Sequence, residues 1–177
     1  MVVPLSSRPS KSFRQASTWA QYQGTAQVKI NSMDQDGAAV GIVAGFKGAT
    51  SDLHGVQTID QPRIGRPFPA AFLYDNDQGA APKAEIYENT DAHQEQTLIK
   101  DTSGLKLTSG TTYTFRFSVT DNATGGSLYK FKIWKTGTAE PSAWLLQANG
   151  ELSRGSIVLA AHRADVNFGT VQISPAP

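Results

Sequence analysis

Residues 111–135, TTYTFRFSVTDNATGGSLYKFKIWK, decide the fold of this chain. Tyr113, Phe115, Phe117 and Val119 alternate with Thr112, Thr114, Arg116 and Ser118. Successive side chains of a β-strand project to opposite faces, so this ribbon has one greasy side and one polar side. The next ribbon repeats the pattern, with Tyr129, Phe131 and Ile133 set against Lys130, Lys132 and Trp134. Between them DNATGG (121–126) supplies glycine for positive φ, and Asp and Asn for side-chain bonds to nearby backbone. The two ribbons are therefore predicted to form an antiparallel hairpin whose apolar sides share one core. Burying each large apolar side chain contributes roughly 1.5–3 kcal/mol, which makes this hairpin the strongest part of that core.

Outward from the hairpin, period 2 recurs at 26–32, 38–46, 70–75, 83–88, 96–100, 105–107, 143–148, 155–161 and 165–173, while a helical period is almost absent. Turn signals lie between these segments: DQDG (34–37), DNDQG (75–79), TGT (136–138), NG (149–150) and SRG (153–155). Short strands with turns every 8–12 residues or so predict an all-β fold. The expected architecture is an antiparallel two-sheet jelly-roll β-sandwich, one domain over 1–177. Residues 1–18 are expected to be an extended N-terminal segment. The stretch 47–69, KGATSDLHGVQTIDQPRIGRPFP, has little periodicity but holds Leu53, Val56, Ile59, Ile64 and Phe68. An ordered loop over one end or face of the sandwich is expected there.

Composition removes several classes of function. With 39% hydrophobic and 18% charged residues, the chain is globular rather than disordered. No apolar run is long enough for a membrane-spanning helix. The net charge of +1 is too balanced for affinity built on phosphate neutralisation, so nucleic acid is not an expected partner. The lack of cysteine excludes disulfides, thiolate metal sites and a cysteine nucleophile. His54, His93 and His162 show no HxH or HxxxH spacing, which weighs against zinc, and no GxSxG is present. Glu85 and Glu88 are three apart and so on opposite faces of a strand, unlike a glycosidase pair that must flank one bond. His162 and Asp165 fall on opposite faces of an unbroken strand for the same reason. Asn122 begins NAT, an N-glycosylation acceptor pattern that matters only in a eukaryotic secretory setting.

TYTFRFSVTD (112–121), YKFKIWKTGTAEPSAWLLQA (129–148) and GSIVLAAHRADVNFGTVQI (155–173) together resemble the closing strands of concanavalin A-like jelly rolls. That superfamily includes laminin-G-like domains and many bacterial carbohydrate-associated modules. The resemblance covers about 111–173 and implies a sandwich of two curved sheets. It also implies a non-catalytic carbohydrate-binding module for a poly- or oligosaccharide, acidic ones included, in an extracellular protein with further domains. The alternatives it leaves are a glycan-cleaving enzyme of the same fold and a structural or adhesion domain without a sugar site. No cofactor is required, although many relatives hold a structural calcium ion near the first and last strands. Gly169 stands where such relatives often carry aspartate, a departure that weighs against calcium here.

A sugar ring is recognised by a flat aromatic face and by fixed donors to its hydroxyls, and arginine grips a carboxylate through two parallel bonds. Arg116, Lys132 and Trp134 share the polar side of the hairpin and are the leading ligand-binding candidates, with Tyr74, Tyr87 and Arg163 expected at the margins. A merely solvated face, with lysine stems shielding the sheet, shows the same pattern. Trp144 shares a face with Leu146 and Ala148, opposite Leu145 and Gln147, and is expected in the core, and Trp19 and Tyr22 are expected to pack the N-terminal segment. Asp75 and Asp77 in YDNDQG, like Asp34 and Asp36 in MDQDG, set carboxylates before a glycine as calcium loops do, and as hairpin turns also do.

Overall fold

The computed structural model describes residues 21–46, 68–76, 81–89 and 95–177. The N-terminal segment 1–18 and nearly all of the 47–69 loop lie outside them, as do Trp19, His54, Asp77 and His93. Among the described residues the chain forms ten strands and no helix: β1 (Tyr22–Ser32), β2 (Ala38–Phe46), β3 (Phe68–Asn76), β4 (Lys83–Asn89), β5 (Glu95–Lys100), β6 (Thr112–Asp121), β7 (Ser127–Lys135), β8 (Leu146–Gly150), β9 (Ser156–His162) and β10 (Asp165–Pro175). They make two five-stranded antiparallel sheets. Sheet A has the order β10-β1-β6-β7-β8 and sheet B the order β5-β4-β3-β2-β9. Each sheet is a run of consecutive neighbours, β6 to β8 or β2 to β5, completed by strands from the chain's outer thirds. The two-sheet antiparallel β-sandwich is thus the fold.

The hairpin of 111–135 is β6 and β7, paired from Tyr113 with Lys135 to Asp121 with Ser127. Asn122 builds its turn: its Oδ1 accepts from the backbone N–H of Thr124 and of Gly126 at 3.0 and 2.9 Å. Its Nδ2 donates to the Ser127 carbonyl at 3.3 Å, so the amide nitrogen that glycosylation needs is already committed to the turn.

The core lies between the sheets, and Phe72 of β3 is its centre. Its ring meets Phe117, Phe131 and Tyr129 of sheet A at centroid distances of 5.3, 5.6 and 6.0 Å. Edge and tilted contacts of this kind add about 0.5–1.5 kcal/mol each beyond area burial. Tyr22 is in this core too, with its hydroxyl 3.0 Å from Ser153 Oγ.

Two expected strands differ. Residues 105–107 form no strand; Leu105 and Leu107 still pack on the core, but the chain is anchored there by the Tyr74 hydroxyl, which accepts from the Leu107 N–H at 3.0 Å. The strand expected at 143–148 begins only at Leu146, and β8 pairs with β7 no further than Phe131. Residues 136–145 are therefore released from the ladder and double back over sheet A.

Gly169 belongs to a β-bulge. Ala26 pairs with Val171 and Val28 with Phe168, so Gly169 and Thr170 together oppose Gln27. A Cβ at Gly169 would stand 3.3 Å from the Gln27 side chain, which gives the glycine a packing reason.

Candidate functional site

The polar side of the hairpin faces outward from sheet A, and it is not simply solvated. Arg116 and Lys132 are direct cross-strand partners. Lys132 is only 5% exposed although it points away from the core. The returning segment 136–145, the strap, buries it. Lys132 Nζ donates to the Pro141 carbonyl at 2.7 Å and lies 2.7 Å from Glu140 Oε1. Arg116 Nη1 reaches the same oxygen at 2.6 Å, while Nη2 donates to Gln23 Oε1 of β1 at 2.8 Å.

Two indoles flank these cations. Lys132 Nζ is 4.7 Å from the Trp144 ring centroid and 6.0 Å from that of Trp134, and Arg116 Cζ is 5.9 Å from Trp144. Both indoles are half-buried. Cation–π contacts of this kind contribute about 0.5–2 kcal/mol, more as water is excluded. Desolvation pushes the Glu140 carboxyl's pKa upward, but hydrogen bonds and charge from Lys132 and Arg116 more than reverse this and leave it below the ordinary carboxylate value.

Trp144 is thus a correction: it lies outside the core, against Arg116 and Lys132, while its neighbour Leu145 packs inward instead. Parity failed because 143–145 is not strand. Glu140, Gln23 and Trp144 were not among the expected ligand residues. A signal was present, since Glu140 is the only carboxylate between Asp121 and Glu151 and follows a strand with outward cations.

The remaining candidates do not join this cluster. Tyr74 is a core residue, 3% exposed, and does not border a ligand surface. Burial is the main reason its hydroxyl pKa is raised. Tyr87 lies on the outer face of sheet B, in an apolar group with Val43, Ala71, Phe46, Leu73, Val158 and Ala160. Tyr74 pairs with Ala84, and Tyr87 with Ala71, so the two tyrosines take opposite sides of the same sheet. Arg163, at φ 48°, turns the chain from sheet B into sheet A, and its Nη1 donates to the Asp36 carbonyl at 3.1 Å. His162 and Asp165 consequently end up in different sheets, and Asp165 accepts from Asn31 Nδ2 at 3.0 Å.

Of the two carboxylates expected to hold calcium only Asp75 is described, and Asp77 lies outside the described residues. Asp75 lies within β3, opposite Ala39 and Lys83. In the neighbouring 33–37 turn, Asn76 Nδ2 donates to the carbonyls of Met33 and Gln35, both at 3.4 Å. Asp34 Oδ2 accepts from Ser32 Oγ at 2.7 Å. Among the described residues no three Asp, Glu or His side chains converge.

A second carboxyl stands apart from the face. Glu88 of β4 points into the sandwich, with Tyr129 and Leu98 both crowding Gly150 beside it. Its Oε2 is buried without a hydrogen-bond partner, and desolvation holds its pKa above the ordinary value. Glu85, three residues earlier, faces the other way and pairs with Lys100 at 3.5 Å.

No protein-family model matches the sequence, and no curated protein does. Among solved structures the chain is similar to sheep galectin-11 in a complex with glycerol. The TM-score is 0.49 and the identity 12%, over 88% of this chain and 90% of that one. A likeness this distant bears on neither ligand nor activity, and the two-sheet sandwich rests on the strand pairing itself.

Proposed function

We propose that the chain is a non-catalytic carbohydrate-binding module whose ligand face is the outer surface of sheet A. One observation carries this reading: two half-buried indoles, Trp134 and Trp144, bracket the paired cations Arg116 and Lys132 on one sheet face. Indole supplies a surface for the C–H side of a sugar ring, and the guanidinium and ammonium supply donors in fixed places. Against a glycosidase stands the protonation state of Glu140, the carboxyl at the centre of the cluster. Its lowered pKa excludes it as the general acid of a glycosidase pair, which needs a raised one, and leaves it only the ionised half of such a pair. Concanavalin A-like affinity, an extracellular setting and attachment to further domains follow from the resemblance of 112–173 and belong to the same proposal.

Affinity electrophoresis against a panel of neutral and acidic polysaccharides tests it. Retardation of the wild type by at least one glycan is expected, weakened about tenfold or more in Trp134→Ala. If no glycan retards the folded protein, or the variant is retarded equally, the assignment fails and the face serves to hold the strap.

A further inference from the structure

We infer that Glu140 occupies, within the free chain, the position that a ligand carboxylate takes on Arg116 and Lys132, so that the strap gates a site for carboxylate-bearing saccharides. The inference rests on the carbohydrate-binding reading and adds the ligand class and the gate.

The anion position is built rather than incidental. Lys132 is more than nine-tenths buried, yet its ammonium is aimed at one carboxylate oxygen, Glu140 Oε1, which Arg116 Nη1 also holds. Gln23 fixes the other arm of the guanidinium, so Arg116 stays oriented when the anion beside it changes, while Lys132 is held by the strap's own Pro141 carbonyl. Trp144 stacks beside both, where a ring bearing the carboxylate would lie.

The strap is held in a way that permits exchange. Its base is pinned by backbone bonds from Thr136 N to Thr112 O at 2.9 Å and from Thr138 N to Lys135 O at 3.2 Å, with Gly137 at φ +88° forming the turn. Among the described residues, 139–145 make no backbone–backbone hydrogen bond. The contacts that hold the tip are therefore those of Glu140, the Pro141 carbonyl and Trp144. Residues 137–143 are exposed, so a solvent-borne carboxylate can reach the pair as Glu140 leaves. An internal competitor on a short tether acts at an effective concentration near the millimolar range and lowers apparent affinity by the fraction of time it is seated.

The test is an NMR titration of wild type and Glu140→Gln with a galacturonic acid trisaccharide, and with a neutral glucose trisaccharide as the comparison. Neutralising Glu140 is expected to raise uronate affinity about tenfold or more, to shift the Arg116 Nε–H and Trp144 indole N–H signals, and to raise neutral-sugar affinity far less, since a neutral sugar does not compete for the anion position. Equal or weaker uronate affinity in Glu140→Gln overturns the gate, as does uronate binding that leaves the Arg116 and Trp144 signals in place. If the neutral sugar binds the wild type and shifts Trp134 while the uronate does neither, the carbohydrate-binding reading stands and the gate falls. If neither protein responds to either sugar, the gate falls too, and the polysaccharide panel decides the broader reading.

Discussion

The outer faces of the two sheets solve the same problem in opposite ways. On sheet A, β1 keeps alternation along Tyr22–Ile30, buried inward and open outward, and the outward side is covered by charge and indole contacts to the strap only around Arg116 and Lys132. On sheet B, β2 is buried across almost its whole length, and Val43 and Ala71 are 1% and 2% exposed on the side turned away from the core. Lys132 and Val43 are thus both removed from water without belonging to the central core. The difference teaches that burial alone does not locate function. What matters is whether the buried atom is one that a ligand can compete for, and that holds for an ammonium but not for a valine methyl.

The comparison can be strained from both sides. The largest effect is expected at the ring both sheets share: Phe72→Ala should cost about 3–5 kcal/mol in urea unfolding at any salt concentration. A loss under 1 kcal/mol or so would mean the sheets do not depend on a common core. Next comes the apolar face. Val43→Ala removes two buried carbons, and an unfolding loss of about 2 kcal/mol, insensitive to salt, is expected. A change near zero would place Val43 in contact with water.

Glu88→Gln should move stability the other way. The Glu88 pKa is raised, chiefly by burial, so its stabilising contribution is complete below the ordinary glutamate pKa and is lost as pH rises through the elevated one. The variant is expected to melt higher than wild type at pH 7–8, by on the order of 1 kcal/mol, with the gap closing in acid. Calorimetry across pH checks the sign. The smallest effect belongs to the charged face. Glu140 is more than a third exposed, so Glu140→Gln should cost under about 1 kcal/mol at neutral pH. Because its pKa is depressed, that cost should fade as pH falls through it, and it should also fade in about 1 M salt. An equal loss in high salt would assign the strap's hold to packing rather than charge.

Much of the fold was legible because alternation is a local property. Period 2 across Tyr113–Val119 and Tyr129–Ile133 placed each side chain on its correct face, and β2 was bounded to the residue. The start of β1 was less visible, since Gly24 takes an inward position where a Cβ would collide with Ile173 and Phe117. What strand parity does not carry is register, sheet membership or the path of a connection. Tyr74 and Tyr87 looked like neighbours because their strands are adjacent, yet the pairing turns one inward and the other outward. Tyr87 and Arg116 belong to different sheets, a fact of topology with no trace in either strand. The burial of Lys132 depends on a carboxylate eight residues later folding back, which becomes evident only when the shortness of β8 is known.

The bulge at Gly169 has a consequence for how copies of this chain meet. β10 is an outer edge of sheet A, and a straight, flat edge is a template on which a neighbouring molecule can add a strand. Two residues crowded opposite Gln27 kink that edge and spoil its register for an incoming partner. The glycine that packs against Gln27 therefore makes this edge a poor template for a ribbon of joined sheets.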